Sequence, residues 1–358
     1  MIRRLAGLAL VAIVFGCVWI SGALQLPKEA EAGNLPQPQI DRSLFDAWAK
    51  AFVDASGRVI DNGNHGISHS EGQGYGLLLA VMADDRPTFE RLLHWTLANL
   101  GVRDDALFAW SYDPAAAKPV ADLNDATDGD ILIAWALVLA GDRWSEPDYR
   151  KTAALIARAV ADKATASSPY GRLLLPGVTG FSAAERKDGP VVNLSYWVYP
   201  ALPALATVAP EYDWQAIAAS GLAVGRAAHF GTAGLPTDWI SLATAPRPAD
   251  GFPPAFGWNA LRVPLYLAWS GFATPDDLAP YARAWAKAPP SVVDVTGKAA
   301  PAPFGGPEYA AIPALVGCAL TGQKLDPALR SAPMDVYYPS TLRLLVLAAA
   351  SERYPQCL

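Results

Sequence analysis

Cysteine is scarce in this chain, with three in 358 residues and no C-x-x-C pair. Histidine is nearly as rare: His65, His69, His94 and His229 are the whole set, and no H-E-x-x-H pattern joins them. The usual zinc sites need such spacings, so no metal is expected. His65 and His69 lie four apart, but within a glycine-rich stretch, and read as surface residues or as supports behind a site. There is no G-x-S-x-G elbow and no phosphate-binding glycine loop. Basic residues do not cluster beyond the first few positions, and the formal net charge is −6. Nucleic acid is therefore not an expected partner, because phosphate binding depends on clustered cations. Alternating strand-like runs are few and short, "RLLLPGV" at 172–178 being the best. Without a recurring strand-helix pattern a doubly wound sheet is disfavoured.

What is present is apolar. The chain is 52% hydrophobic and 17% charged, the balance of a globular protein with a large core. Arg3 and Arg4 precede the run "LAGLALVAIVFGCVWISGAL", and Ala30-Glu31-Ala32 supplies a small-residue cleavage site. Residues 1–32 thus read as a signal peptide, with an uncleaved membrane anchor as the alternative. The remainder is expected outside the cytoplasm, periplasmic or secreted. Such a compartment permits a disulfide between Cys318 and Cys357, the two cysteines beyond the leader; two buried thiols are the alternative.

Residues 33–41, opening "GNLPQPQI", read as a linker, and 42–358 as a single domain. Apolar residues recur at helical spacing near 42–54, 72–84, 86–100, 129–141, 146–163, 196–208, 212–229, 259–270, 276–288, 306–321 and 337–352. An all-α domain follows. The Pro/Ala-rich stretches 243–255 and 289–305 read as long loops.

Two stretches draw attention. In "SHSEGQGYGLLL", 68–79, Glu71 sits among Gly72, Gly74 and Gly76. Ser68 or Ser70 could cap a helix there, with Glu71 in its first turn. Three alternate glycines weaken that helix by roughly 1 kcal/mol each, unless something must approach closely. In "DLNDATDGDILIAWALVLAGDRW", 122–144, Asp125, Asp128 and Asp130 precede an apolar run, with Thr127 or Asp128 as a possible cap. One acidic residue suffices for capping; three suggest a site. The chain also carries 12 Trp, 13 Tyr and 11 Phe. Carboxylates among flat rings suit a sugar, whose apolar faces stack while its hydroxyls need polar partners. Glycoside hydrolysis needs two carboxyl groups across the scissile bond, and Glu71 is a candidate for the one that keeps a proton.

The chain resembles glycoside hydrolase family 8, and within it the exported endoglucanases associated with bacterial cellulose synthase. The resemblance rests on "SEGQGYGLLLAVMADDRPTFERLLHWTLANL" at 70–100, "ATDGDILIAWALVLAGDRW" at 126–144 and "GWNALRVPLYLAW" at 257–269. "FAWSYDP" at 108–114 and "NLSYWVYPAL" at 193–202 add to it. It implies an (α/α)6 barrel and endo-acting, inverting cleavage of β-1,4-glucan by a monomer without a cofactor, in functional association with a cellulose synthase complex. It implies that Glu71 is the proton donor and that Asp128 contacts sugar at the cleavage subsite, where such a carboxylate has often been labelled the nucleophile. Tyr75, Trp110, Tyr196, Asn259 and Arg262 fall in the regions that shape the cleft.

One position departs from the pattern. Asn259 stands where the cellulase branch usually has the aspartate that activates water. An amide can hold a water but cannot take its proton. Either another carboxylate is the base, or the enzyme is slow, or the protein binds glucan without cutting it. Asp128, Asp188, Asp238 and Asp250 are the candidates, with Glu185 behind them. An inverting pair should stand about 6.5–9.5 Å apart. Chitosan and xylan, cut by other members, are the alternative polymers.

Overall fold

Each of the eleven stretches with apolar residues at helical spacing folds as a helix in the computed structural model, which describes residues 38–286 and 288–358. The leader 1–32, with Cys17, and linker residues 33–37 lie outside the described residues. The helices are α1 (Arg42–Phe52), α2 (Ser70–Met82), α3 (Arg86–Asn99), α4 (Thr127–Trp144), α5 (Pro147–Lys163), α6 (Leu202–Val208), α7 (Trp214–Ala227), α8 (Val263–Ser270), α9 (Pro275–Trp285), α10 (Ala311–Thr321) and α11 (Tyr337–Arg353). Where proline interrupts the donor ladder, the chain enters its helix through a tight 3-10 turn. Pro200 precedes α6 in this way and Pro307 precedes α10.

Burial sorts the helices into two layers. α2, α4, α8 and α11 are buried along nearly their whole length, whereas α1, α3, α5, α7 and α9 bury one face. α2 packs on α4, α4 on α6, α8 on the turn leading into α6, and α11 on both α8 and α2. The inner helices therefore close on themselves, and the architecture is the (α/α)6 barrel that the resemblance implies. Trp48 of α1 donates from Nε1 to Thr341 Oγ1 of α11 at 2.9 Å, joining the first helix to the last. Each fully buried leucine or isoleucine of the inner ring contributes roughly 1.5–3 kcal/mol.

Glycine sets the closest contact in the ring. A Cβ on Gly74 of α2 would lie 2.7 Å from Leu132 Cβ of α4, and one on Gly129 of α4 would lie 2.7 Å from the Glu71 main-chain nitrogen. The glycines around Glu71 thus answer to helix-on-helix packing rather than to a ligand. Gln73, between them, is a buried brace: Oε1 accepts Val59 N–H at 2.6 Å and Nε2 donates to Thr96 Oγ1 at 2.8 Å.

The connections hold short two- and three-stranded sheets. The strand expected near 172–178 is Gly171–Leu174, paired antiparallel with Thr165–Ser168. The stretches 243–255 and 289–305 are more ordered than expected. Ala255–Phe256 pairs with Ser291–Asp294, which pairs in turn with Ala302–Pro303. Cys318 and Cys357 form a disulfide, Cα to Cα 6.1 Å, fastening the C-terminal turn to α10. Closing a loop of this length contributes about 3–4 kcal/mol in the chain-entropy account. No helix among the described residues is long and apolar enough to cross a membrane.

Candidate active site

Three inner helices begin at the same place. Glu71 lies in the first turn of α2, Asp128 in the first turn of α4, and Arg262 immediately before α8. The α2 cap is not a serine, as the sequence suggested, but His69, whose Nδ1 accepts Gly72 N–H at 2.9 Å. At α4 neither Thr127 nor Asp128 is the cap. Ala126 holds that position, and the Thr127 hydroxyl donates to Leu175 O at 2.7 Å.

Arg262 joins these helices. Its Nη1 donates to Glu71 Oε2 in a short ion pair, to Asp128 Oδ2 at 3.0 Å and to Tyr75 OH at 3.3 Å. Nη2 donates to Ser195 Oγ at 2.9 Å and to Asn259 Oδ1 at 2.8 Å. The guanidinium is 1% exposed, lies 6.0 Å from the Tyr196 ring, and has no partner at Nε among the described residues. Five residues singled out from the sequence, Glu71, Tyr75, Asp128, Asn259 and Arg262, are thus one hydrogen-bonded cluster.

Their surroundings correct several expectations. Tyr75 is fully buried, its OH 2.5 Å from Tyr266 OH, so it supports Arg262 and cannot meet a ligand. Asp128 is 1% exposed; Oδ1 accepts Gly129 N–H at 2.9 Å and Oδ2 accepts from Arg262. Both oxygens are thus engaged within the protein, and Asp128 presents almost no surface in this conformation. Burial pushes its carboxyl up to about 7. Asp125 and Asp130 do not join the cluster. Each is a buried brace: Asp125 accepts Val178 N–H and Asp130 accepts Phe108 N–H, both at 2.8 Å. Burial raises both carboxyls.

The four loop carboxylates differ from one another. Asp188 is held by Arg186 at 2.9 and 3.2 Å and by Asp250 N–H at 2.8 Å, and the guanidinium holds its pKa below the usual range. Asp250 is exposed and paired with Arg247 at 2.7 and 2.9 Å, again with a lowered pKa. Glu185 accepts from Ser182 at 2.7 Å and is lowered as well, chiefly by a main-chain hydrogen bond at Gly180. Each is thereby weakened as a proton acceptor. Asp238 has no basic partner among the described residues. Its Oδ1 accepts Ala260 N–H at 2.7 Å and Gly257 N–H at 3.0 Å, and Asn259 contributes main-chain and side-chain hydrogen bonds. Burial outweighs these and pushes Asp238 up to about 6. This carboxylate lies directly behind the Asn259 amide.

Two tryptophans stand at the rim. Trp110, which precedes the Ser111–Tyr112 strand, is 39% exposed and anchored by Nε1 to Asp122 at 2.9 Å; its carbonyl accepts Ser70 N–H next to Glu71. Trp258, beside Asn259, is 48% exposed, with Phe304, Tyr309 and Tyr338 around it edge-on. Sequence reasoning passed over Trp258; its place next to Asn259 in the third motif was the available signal. Trp239 is no free platform, because Phe181 and Phe252 stack on it at interplanar angles of 5° and 18°.

A cluster of carboxylates and one guanidinium beneath exposed indole rings is equipment for cleaving a sugar polymer. Comparison with known proteins agrees. The profile of Glycosyl hydrolases family 8 matches residues 31–352, and the chain belongs to this family. It is 37% identical over 339 residues to a probable endoglucanase of Novacetimonas hansenii, covering 92% of this chain and 97% of that one. The solved endo-beta-1,4-glucanase of Acetobacter xylinum superposes with a TM-score of 0.78 at 37% identity, over 87% of this chain and 98% of the other. An endoglucanase structure from Komagataeibacter sucrofermentans gives 0.77 at 39% identity, over 86% and 96%.

Proposed function

We propose that this chain is an exported, inverting endo-β-1,4-glucanase in which Glu71 is the acid and Asp238 replaces Asn259 as the base. The observation that carries the reading is the Arg262 cluster. Glu71 and Asp128 oppose a single guanidinium. With both ionised, a surplus negative charge would sit in a buried site, so the trio retains one proton. Burial favours that proton on Asp128 in the free enzyme; its passage to Glu71 ahead of cleavage sets it against the glycosidic oxygen, with which it leaves, and Asp128 is then ionised. Asp128 contributes as the counter-charge of Arg262 rather than as a sugar ligand or a nucleophile. A carboxylate raised to about 6 is a stronger base than an ordinary aspartate, yet still ionised at neutral pH. Asp238 takes the proton of the attacking water, which Asn259 helps to hold. Trp110 and Trp258 offer stacking faces, and the Tyr196 ring lies 6.0 Å from the Arg262 guanidinium.

The leader-like residues 1–32 support export, and the endoglucanase names of its relatives support β-1,4-glucan as the polymer. Action on cellulose emerging from a synthase complex is the corresponding physiological setting. The experiment is a reducing-end assay on carboxymethyl cellulose, with Glu71→Gln as control. Wild type is expected to cut and the variant to lose at least about 10²–10⁴-fold in kcat. Unchanged cleavage by the variant would sink the reading. A second reading, motivated by the amide at 259, is glucan binding without cleavage; it predicts retained binding and no new reducing ends in wild type. If cellulose is bound but not cut, xylan and chitosan are the next substrates to try.

A further inference from the structure

Histidine is an unusual helix cap, and the helix that carries Glu71 has one. His69 is extended (φ −140°, ψ 157°), and its Nδ1 accepts Gly72 N–H at 2.9 Å. A ring nitrogen that accepts carries no proton, so the imidazole in this arrangement is neutral and protonated on Nε2. Nε2 faces Asp61 Oδ2 at 3.4 Å. The other Asp61 oxygen accepts Gly63 N–H at 3.0 Å, and the Asp61 carbonyl accepts from Asn64 and Gly66. This loop is clamped in turn to the start of α11: Asn62 accepts Tyr337 N–H at 2.9 Å and donates to Asp335 O at 2.8 Å. A continuous chain of contacts therefore runs from α11 through Asp61 and His69 to the first turn of α2.

We propose that neutral, Nε2-protonated His69 is a positioning residue for Glu71, capping its helix while Asp61 holds the tautomer that makes the cap possible. The inference rests on the reading of Glu71 as the proton donor. Protonation of His69 would turn its Nδ1 acceptor into a donor aimed at another donor. The cap would be lost, and the turn carrying Glu71 would fray. The charged and titratable groups around the ring come from every element packed on it. Asp61 and Arg58 belong to the preceding loop, Arg58 reaching Ser68 Oγ and Gly66 O. Tyr337 of α11 meets the ring edge-on at 5.8 Å, Asp128 of α4 couples to it electrostatically, and Glu71 follows two residues later.

Two substitutions separate capping from bulk. In His69→Asn the side-chain oxygen falls near the Nδ1 position, and asparagine is among the best caps. In His69→Gln the polar group reaches Asp61 but overshoots Gly72. Full-length variants are compared on carboxymethyl cellulose. His69→Asn is expected to keep kcat within about threefold, whereas His69→Gln loses roughly ten- to a hundredfold with little change in KM. Nitrogen NMR of the wild type should find one histidine with Nδ1 bare and Nε2 protonated, a pattern missing from His69→Asn. Equal losses in the two variants, or a proton on Nδ1, overturns the proposal. If His69→Gln does not fold, the NMR tautomer decides. Glu71→Gln is run in parallel. Cleavage by that variant brings down the reading of Glu71 itself, whereas its inactivity together with a failed His69 pattern removes the positioning role alone.

Discussion

Glu71 and Asp128 stand on helices that meet so closely that only glycine fits between them, while Asp188, Asp238 and Asp250 stand on loops, each with its own partners. On the helices, position is fixed by packing, and one guanidinium serves both carboxylates. On the loops, local arginines decide. Arg186 takes Asp188 and Arg247 takes Asp250, which leaves Asp238 without a cation among the described residues and with a raised pKa. The difference teaches that proximity to a motif says little about basicity. What matters is which carboxylate has been left unneutralised.

The sharpest way to break this contrast is to remove the loop carboxylates one at a time. Asp238→Asn is expected to lower kcat by about 10²–10⁴-fold, and Asp250→Asn by no more than a few-fold, in the reducing-end assay. Equal losses would mean that arginine pairing does not sort them. In the wild type the base must be ionised, so kcat/KM should decline as the pH falls through about 6, and this decline should be gone from the residual activity of Asp238→Asn.

A smaller effect tests the helical pair. Asp128→Asn leaves Glu71 alone opposite Arg262, which favours ionised Glu71. Activity should drop about ten- to a hundredfold, and the alkaline limb of the pH profile should move to lower pH. A limb that stays in place would show that the two carboxyls do not share a proton. Gly129→Ala probes the packing beneath them. Its Cβ would press on the Glu71 main-chain nitrogen, so about 1–3 kcal/mol of stability should be lost on denaturant unfolding, together with part of kcat. The mildest change, Trp258→Ala, should raise KM several-fold and leave kcat nearly intact, as expected for a stacking face.

Much of this was legible in advance. Periodicity located all eleven helices, and Glu71, Asp128, Asn259 and Arg262, named from three separate motifs, meet in one hydrogen-bonded cluster. The caps were not legible, because serine and threonine are the usual choices and His69 took the role at α2. Nor was the division among Asp125, Asp128 and Asp130. All three sit within six residues, yet only Asp128 faces Arg262. On a helix, successive residues point about 100° apart, and partners such as Phe108 N–H and Val178 N–H are remote in sequence. The glycines around Glu71 hinted at close approach, but the approaching body is another helix.

The sequence by itself determined the helices, the family and the identities of the carboxylates, because those depend on local periodicity and on residue type. Only the tertiary structure decided which carboxylates are neutralised, which are braces and which keeps its basicity. Charge state depends on burial and on cations that the chain brings into contact from distant positions, such as Arg262 opposite Glu71, 191 residues away.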